Sequence, residues 1–263
     1  LAPSSVSAQL KELSLELGVE LFESSGRGII LSAAGQELLP ALQQFHNLTQ
    51  SIQQQARDIC QKPVGVLRLF APSSMCIYRL PALIEALQVS APAIEIHLTH
   101  EPFDYAQAFE RVELDAAIVV TEVASETWVH HLLHEENVVY VCHPKRHQER
   151  MLSLQELQQH HLITTEVGCT YRVRAEEHFR QQGLRLKPYQ AFSNVEVIRR
   201  CLLANMGIGL VPLCVVADDV AQGKLRVQAV QDTPYQFYSW LVYPPKRALS
   251  PKLRCLIDVI SAI

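Results

Sequence analysis

The sequence predicts an α/β protein whose first part is mainly helical. From Val64 onward, short β-branched or apolar runs alternate with helix-like stretches, which is typical of sheets covered by helices. Before Lys62 and Pro63, helical periods dominate. The 263 residues, 48% of them hydrophobic, suffice for one large domain or two smaller ones. Alternating strands and helices imply parallel, doubly wound sheets, which bind ligands at the carboxyl ends of their strands.

Composition excludes several classes of protein. The apolar share excludes a disordered chain, and no apolar run approaches the ~18 residues of a membrane span. The N-terminus lacks the basic-then-apolar layout of a signal peptide. The seven cysteines are odd in number and none has CxxC spacing, so we expect neither a disulfide framework nor a zinc site. A cytoplasmic location fits these features best.

The net charge of −4 at first argues against nucleic acid, because phosphate contacts normally need a basic face. Residues 1–62 alone contain four Lys and Arg against six Asp and Glu. Any DNA binding must therefore rest on a few well-placed contacts and on symmetry rather than on a general basic surface.

The first predicted helix spans Ser4–Leu17, with serines at its start and Gly18 at its end. Its apolar residues recur at steps of 4, 3 and 4, which gives one buried face. A β-prone segment, a turn at Ser25–Gly28 and a second β-prone segment at Ile29–Leu31 then predict a small hairpin, or wing.

A long helix is predicted from Ser32 to about Cys60. Its apolar stripe follows a spacing close to the 3.5-residue repeat of coiled coils: Leu38, Leu42, Phe45, Leu48, Ile52, Ala56 and Ile59. Such a narrow stripe must be buried against something. A second copy of the helix is the favoured partner, and the chain's own globular part is the alternative.

The rest of the chain is predicted to alternate between strands and helices. The candidate strands are Val66–Ala71, Ile94–Thr99, Ala116–Val120, Val138–Cys142, Leu162–Thr165, Tyr189–Phe192, Ile208–Val211, Leu225–Val230 and Phe237–Tyr243. The candidate helices are 79–89, 104–112, 153–158, 171–182, 194–205, 213–221 and 250–262.

Three polar segments follow predicted strands, where a ligand is expected. They are Ala71–Ser74, Gly168–Arg172 and Ser193–Asn194. Their hydroxyls and free backbone N–H groups can hold an anion such as a carboxylate. Each segment is also explained by ordinary helix capping, but three of them at strand ends favour binding.

Motifs for catalysis and metal binding are weak. The sequence contains no GxSxG, GxGxxG or GxxxxGK[ST] motif, so we expect neither an enzyme nor a bound cofactor. His130, His131 and His134 lie in an extended or irregular segment without an HExxH frame, so no metal is expected. Cys169, beside Arg172, and Cys201 leave a redox pair as an alternative.

The N-terminal segments resemble LysR-type transcriptional regulators. The resemblance rests on Pro3–Leu13, Leu17–Glu23 and Gly26–Gly35, which match the family's serine-bearing recognition helix, "LG..LFeR" and "gR...LT.aG" patterns. It extends more loosely over Gly65–Ala71, Leu80–Pro81, Ala91–Ile94, Leu114–Ile118 and Asn205–Pro212. Two positions depart from the pattern: Ser14 replaces the usual Glu, and Ser24 replaces the Arg of "LFeR".

The resemblance implies a winged helix-turn-helix (residues 1–35), a linker or dimerisation helix (36–61) and a two-subdomain, periplasmic-binding-protein-like effector domain (62–263). Subdomain I would comprise about 64–135 and 236–263, and subdomain II about 136–235. The first helix and most of the second are expected to be missing from the sequence. The protein would be a homodimer or homotetramer that binds promoter DNA and responds to a small, anionic effector.

The resemblance also implies site residues. DNA contacts would come from Ser4, Ser5, Ser7, Ala8, Gln9, Lys11 and Arg27. By topology rather than by motif, the effector would lie near Ser73, Ser74, Glu101, Thr121, Thr170 and Ser193. Alternatives are a solute-binding protein of the same α/β fold, which the N-terminal motif disfavours, a cysteine-based redox-sensing regulator, and a small-molecule enzyme.

Overall fold

A computed structural model describes residues 3–25, 28–58, 63–100, 104–245 and 249–262. The chain divides into two compact units. The first contains the residues up to Cys60, and the second contains the rest of the chain apart from Glu110–Glu113. Within the described residues, no helix is both long and apolar enough to cross a membrane.

The first unit consists of helix α1 (Pro3–Leu17), a hairpin of β1 (Phe22–Ser25) and β2 (Gly28–Leu31), and the long helix α2 (Ala33–Asp58). The helix, wing and long helix predicted from the sequence are thus confirmed to within two residues at each end. Gly18 ends α1 with a positive φ of 69°. In this left-handed conformation a glycine avoids the strain of a side chain.

Close packing at the start of α2 holds α1, the hairpin and α2 together in the first unit. Ser32 caps α2 by accepting a hydrogen bond from Gly35 N (3.0 Å) and donates its own hydroxyl to Glu20 O (2.5 Å). A Cβ on Gly35 would lie 2.2 Å from Leu21 O, so only glycine allows this approach. Ser14, which departs from the family pattern, accepts a hydrogen bond from Leu21 N (3.3 Å). It therefore ties α1 to the entry of the hairpin.

The second unit is built on a single sheet of nine strands among the described residues. The strands are β3 (Gly65–Phe70), β4 (Ile94–Thr99), β5 (Ala116–Thr121), β6 (Val129–Cys142), β7 (Leu162–Thr165), β8 (Gln190–Phe192), β9 (Ile208–Pro212), β10 (Arg226–Val227) and β11 (Tyr235–Tyr243). The helices are α3 (Ser73–Tyr78), α4 (Leu80–Ser90), α5 (Tyr105–Glu110), α6 (Leu154–Leu157), α7 (Thr170–Gln181), α8 (Val195–Leu203), α9 (Leu213–Ala221) and α10 (Pro251–Ala262).

The sheet joins two parallel groups of strands through two antiparallel strands. The order is β4-β3-β5-β11-β6-β9-β7-β8, with β10 beside β6. The pairs β3–β4, β3–β5, β7–β8 and β7–β9 are parallel, whereas β11 is antiparallel to both β5 and β6. An all-parallel sheet, as the alternation suggested, is therefore wrong for β6, β10 and β11. β11 and β6 join the two groups of strands, and β10 lies antiparallel beside β6.

Two predicted strands differ from the structure. The strand predicted at Val138–Cys142 begins at Val129, because its first half pairs with β11 despite its polar sequence. The strand predicted at Leu225–Val230 ends at Val227. Gln228 still donates its backbone N–H to Tyr140 O of β6 (2.9 Å), and its buried side chain accepts from Gln148 N (2.9 Å). The helix predicted at 79–89 is confirmed as α4 (Leu80–Ser90), and the short helix α3 (Ser73–Tyr78) before it was not predicted.

Buried contacts complete the second unit. The buried Lys252 on α10 donates to Val66 O and to Asp115 Oδ2 (3.0 Å), and Asp115 accepts from Arg68 N (2.8 Å). This joins the last helix to the first strand of the sheet. At Gly207 the chain passes so close to His161 that a Cβ would lie 2.1 Å from His161 O, so only glycine fits there.

Candidate functional site

The predicted DNA-contacting residues lie on α1. Ser7, Ala8, Gln9 and Lys11 are all exposed on this helix, whereas Leu10 and Leu13 are half-buried. Ser4 and Ser5 belong to the first turn of α1, but their side chains, like all of Arg27, lie outside the described residues. Most of α1 is exposed, so the four described positions are accessible, as contact with a groove of DNA requires.

The predicted effector residues lie at the ends of strands and the starts of helices. Ser73 is half-buried and Ser74 is buried in the first turn of α3, directly after β3. Thr121 ends β5 and donates to Val123 O (2.7 Å). Thr170 is exposed at the start of α7. Glu101 lies outside the described residues.

Ser193 stands apart from the others. It is exposed after β8, and the N-cap of α8 is its neighbour Asn194, which accepts a hydrogen bond from Glu196 N (2.8 Å). Helix capping, which the sequence left open for this segment, is thus its observed role.

A polar cluster that the sequence did not indicate lies where these helices meet β6. Arg79 donates to Glu136 through Nε (2.9 Å) and Nη2 (3.1 Å), a bidentate pair. Glu136 is 1% exposed and the Arg79 side chain is 32% exposed. The pKa of Arg79 is raised, first by its hydrogen bond to Glu136. We call the group formed by Ser74, Arg79, Glu136, Tyr171 and Cys214 the polar cluster.

Tyr171 and Cys214 complete the polar cluster from the other side. The Tyr171 ring packs edge-on against Phe237 of β11, with ring centroids 5.3 Å apart. Burial, followed by the charge of Glu136, raises the pKa of the Cys214 thiol to about 12. The cluster thus brings first-turn residues of α3, α7 and α9 onto the crossing strands β6 and β11.

Two further contacts join the two groups of helices. Tyr78 of α3 donates to Glu196 Oε2 of α8 (2.6 Å). Arg174 of α7 donates to Glu122 Oε1 (2.7 Å), which directly follows Thr121. Arg172, the last residue of the polar segment Gly168–Arg172, donates to Glu176 (2.7 Å) and to Thr165 O (3.2 Å). These contacts mean that the guanidinium groups around Tyr171 already have carboxylate partners.

The cysteines give little support to redox chemistry. Burial raises the pKa of Cys169, and its hydrogen bonds lower the pKa by less than burial raises it. The pKa values of Cys76 and Cys142 are each raised to about 11, again first by burial. Thiols of this kind stay protonated at neutral pH and are poor nucleophiles. Arg172 does not activate Cys169, because its guanidinium is bound to Glu176.

The three histidines that the sequence analysis considered as metal ligands, His130, His131 and His134, lie on strand β6. The His130 ring contacts Trp240 edge-on (5.4 Å), and the His131 ring stacks on Tyr243 (5.8 Å). In the part of the chain that the structure describes, no group of three or more His, Cys, Asp or Glu side chains is arranged to hold a metal ion.

The comparisons with known proteins identify the class. The model described as "LysR substrate binding domain" matches residues 61–262, and that of the "Bacterial regulatory helix-turn-helix protein, lysR family" matches residues 1–36. The chain therefore belongs to the LysR family of DNA-binding transcriptional regulators, which have an effector-binding domain.

Individual relatives agree with this class. The chain is 27% identical over 266 residues to YwqM of Bacillus subtilis (strain 168), an uncharacterized HTH-type transcriptional regulator; the match covers 98% of this chain and 89% of YwqM. The structure of full-length CbnR complexed with its target DNA has a TM-score of 0.73 at 16% identity, covering 100% of this chain and 90% of CbnR. The regulatory domain of Synechocystis PCC6803 CcmR, in complex with 2-PG, has a TM-score of 0.66 at 18% identity, covering 75% and 96% respectively.

The Arg79–Glu136 pair gives a test of how the polar cluster contributes to stability. Replacing Arg79 with Met leaves a buried carboxylate without its cation, which costs about 3–5 kcal/mol in fully buried pairs. Because Arg79 is partly exposed, we expect the free energy of unfolding in urea to fall by about 2–3 kcal/mol.

Two matched variants complete this test. Adding Glu136→Leu to Arg79→Met should restore most of the loss, because no uncompensated charge remains. Arg150→Met, which breaks the surface pair with Glu156 (2.8 Å), should leave the unfolding midpoint almost unchanged. Equal losses for Arg79→Met and Arg150→Met would contradict a structural role of the polar cluster.

Proposed function

We propose that this chain binds promoter DNA through α1 and the wing, and that a small, anionic effector bound in the second unit changes that binding. The observation that carries the proposal is that one chain combines an exposed polar helix face with a buried polar cluster at strand ends. The complex of the structural neighbour CbnR with its target DNA supports the first part. The complex of the CcmR regulatory domain with 2-PG supports the second.

The DNA contacts follow from exposure and chemistry. Ser7, Gln9 and Lys11 can donate hydrogen bonds, and Ala8 can contact a thymine methyl group. Ser4 and Ser5 would contact DNA from the first turn of α1, and Arg27 would reach phosphate or the minor groove from the wing. Because residues 1–62 carry more acidic than basic side chains, non-specific attraction is weak and the few contacts must act together.

The effector is proposed to lie among Ser73, Ser74, Glu101, Thr121, Thr170 and Ser193. Ser74 and Thr170 are the best supported of these, since they lie beside Tyr171 in the first turns of α3 and α7. These two helices belong to different parallel groups of strands. An effector that contacts both would favour one arrangement of the two groups over another and so shift their populations.

The proposed organisation follows the predicted boundaries: residues 1–35 bind DNA, 36–61 form the linker helix and 62–263 bind the effector, with subdomains of about 64–135 plus 236–263 and about 136–235. The apolar stripe of α2 supports self-association, because Phe45 is 68% exposed and Leu48 and Ile52 are also exposed. We propose a homodimer that pairs into a homotetramer, acts in the cytoplasm and has no enzymatic activity.

Substitution of Lys11 tests the proposed DNA contact. With DNA selected from a random library, Lys11→Ala should weaken binding several-fold on every sequence and reduce the slope of log K against log salt by about 1, because one phosphate contact is lost. Fluorescence anisotropy at several salt concentrations measures both quantities. Lys224→Ala, which removes an exposed lysine from the second unit, is the matched control and should change neither. Identical results for the two variants would place the DNA contact elsewhere.

A thermal-shift screen against metabolites tests the effector site. A compound that binds the folded chain raises its melting temperature, and the shift grows with concentration above Kd. For the best compound, Ser74→Ala and Thr170→Ala should each weaken binding about five- to tenfold through the loss of one hydrogen bond. Ser261→Ala, at an exposed site on α10, should have no effect. Unchanged affinity in both Ser74→Ala and Thr170→Ala would exclude an effector site at Ser74 and Thr170.

A further inference from the structure

The Tyr171 hydroxyl is buried without a hydrogen-bond partner. Tyr171 is 4% exposed, and its Oη lies among the buried side-chain atoms that have no partner in the described part of the chain. The Ser74 side chain lies close enough to influence the pKa of Tyr171, but it makes no hydrogen bond of ordinary geometry with it. A buried hydroxyl in this state is destabilising, because it has lost its bonds to water and gained none.

The surroundings of this hydroxyl favour a ligand rather than a packing defect. The Tyr171 ring is held edge-on by Phe237, so the hydroxyl is fixed in position. Tyr171 lies in the first turn of α7, and Ser74 and Cys214 lie in the first turns of α3 and α9. The Tyr171 hydroxyl therefore belongs to a residue at the point where three helices begin on the crossing strands.

An anion is nevertheless a poor partner for Tyr171. The negative charge that such helix starts favour is already supplied by Glu136, which is buried and held by Arg79 at 2.9 and 3.1 Å. Glu136 and Cys214 both raise the pKa of Tyr171, although burial is the larger cause. A carboxylate of the effector beside Tyr171 would be repelled by the charge of Glu136, and burial makes that repulsion strong.

We propose that Tyr171 Oη, together with Ser74, forms a subsite that binds an uncharged hydrogen-bonding group of the effector, such as a hydroxyl. The hydroxyl of Tyr171 can both donate and accept, so it suits such a group. The anionic part of the same effector then lies toward the exposed Thr170. This inference rests on the proposed function, because it assigns a specificity-determining residue to the proposed effector site.

The first test needs no ligand. Tyr171→Phe removes a hydroxyl that has no partner, so the full chain should melt at the same temperature as the parent or slightly higher. Tyr189→Phe, at an exposed ring stacked on His161, is the control for a tyrosine-to-phenylalanine change and should also leave the melting temperature unchanged. A fall of more than about 3 °C in Tyr171→Phe alone would overturn the proposal, since the hydroxyl would then be bonded within the folded chain.

The second test uses three probes of equal carbon number that share one carboxylate: 3-hydroxypropionate, propionate and malonate. Their other ends are a hydroxyl, a methyl group and a second carboxylate. Calorimetric titration of the full chain should give 3-hydroxypropionate an affinity about five- to tenfold higher than that of either other probe. In Tyr171→Phe this preference should shrink to within about twofold.

Three outcomes of the titration would overturn the proposal: malonate binding as tightly as 3-hydroxypropionate, the hydroxyl preference persisting in Tyr171→Phe, or no binding of any probe at millimolar concentration. The proposed function fails separately. Identical DNA binding by Lys11→Ala and Lys224→Ala would contradict the proposed DNA contact and leave the subsite untouched. A screened compound that changes DNA affinity equally in the parent and Tyr171→Phe would refute this subsite alone.

Discussion

The second unit depends on the bidentate ion pair between Arg79 and Glu136. Glu136 lies on β6, one of the two strands that join the parallel groups, and a carboxylate buried there requires a cation with good geometry. Arg79 meets this need from the junction of α3 and α4, so the pair fixes these helices against the crossing strand. Tyr171 and Cys214 reach the same point from the other group of helices. The ion pair thus lies where the two groups of helices that form the proposed effector site meet the crossing strand.

The same pair determines what the site can recognise. Neighbouring guanidinium groups are also engaged by carboxylates, with Arg172 bound to Glu176 and Arg174 to Glu122. At the proposed site, we therefore expect recognition of an effector to rely on hydroxyl and backbone dipoles, or on exchange of an exposed partner such as Glu122. Hydrogen bonds to a preformed site discriminate strongly between compounds, because the wrong compound leaves buried groups unpaired. Regulation then follows when the correct compound binds one arrangement of the helices better than the other.

Local patterns predicted most of the fold, because helix and strand periods are properties of neighbouring residues. The hairpin, α2 and strands such as Ile94–Thr99 and Leu162–Thr165 follow directly from their sequences. The first half of β6 was missed as a strand because its histidines and glutamates do not alternate with apolar residues; pairing with β11, about a hundred residues later, makes it a strand. The polar cluster was missed for a similar reason. Arg79 and Glu136 are 57 residues apart, and neither carries a motif that points to the other.

We propose that effector binding and DNA binding in this chain are thermodynamically coupled. The most direct measurement is a reciprocal titration with the compound that most raises the melting temperature: DNA affinity with and without saturating compound, and compound affinity with and without saturating DNA. Linkage requires both affinities to change by the same factor, about 5- to 150-fold in typical allosteric proteins. That result is expected here. A compound that binds the polar cluster tightly while DNA affinity stays unchanged would contradict the coupling of the two binding events.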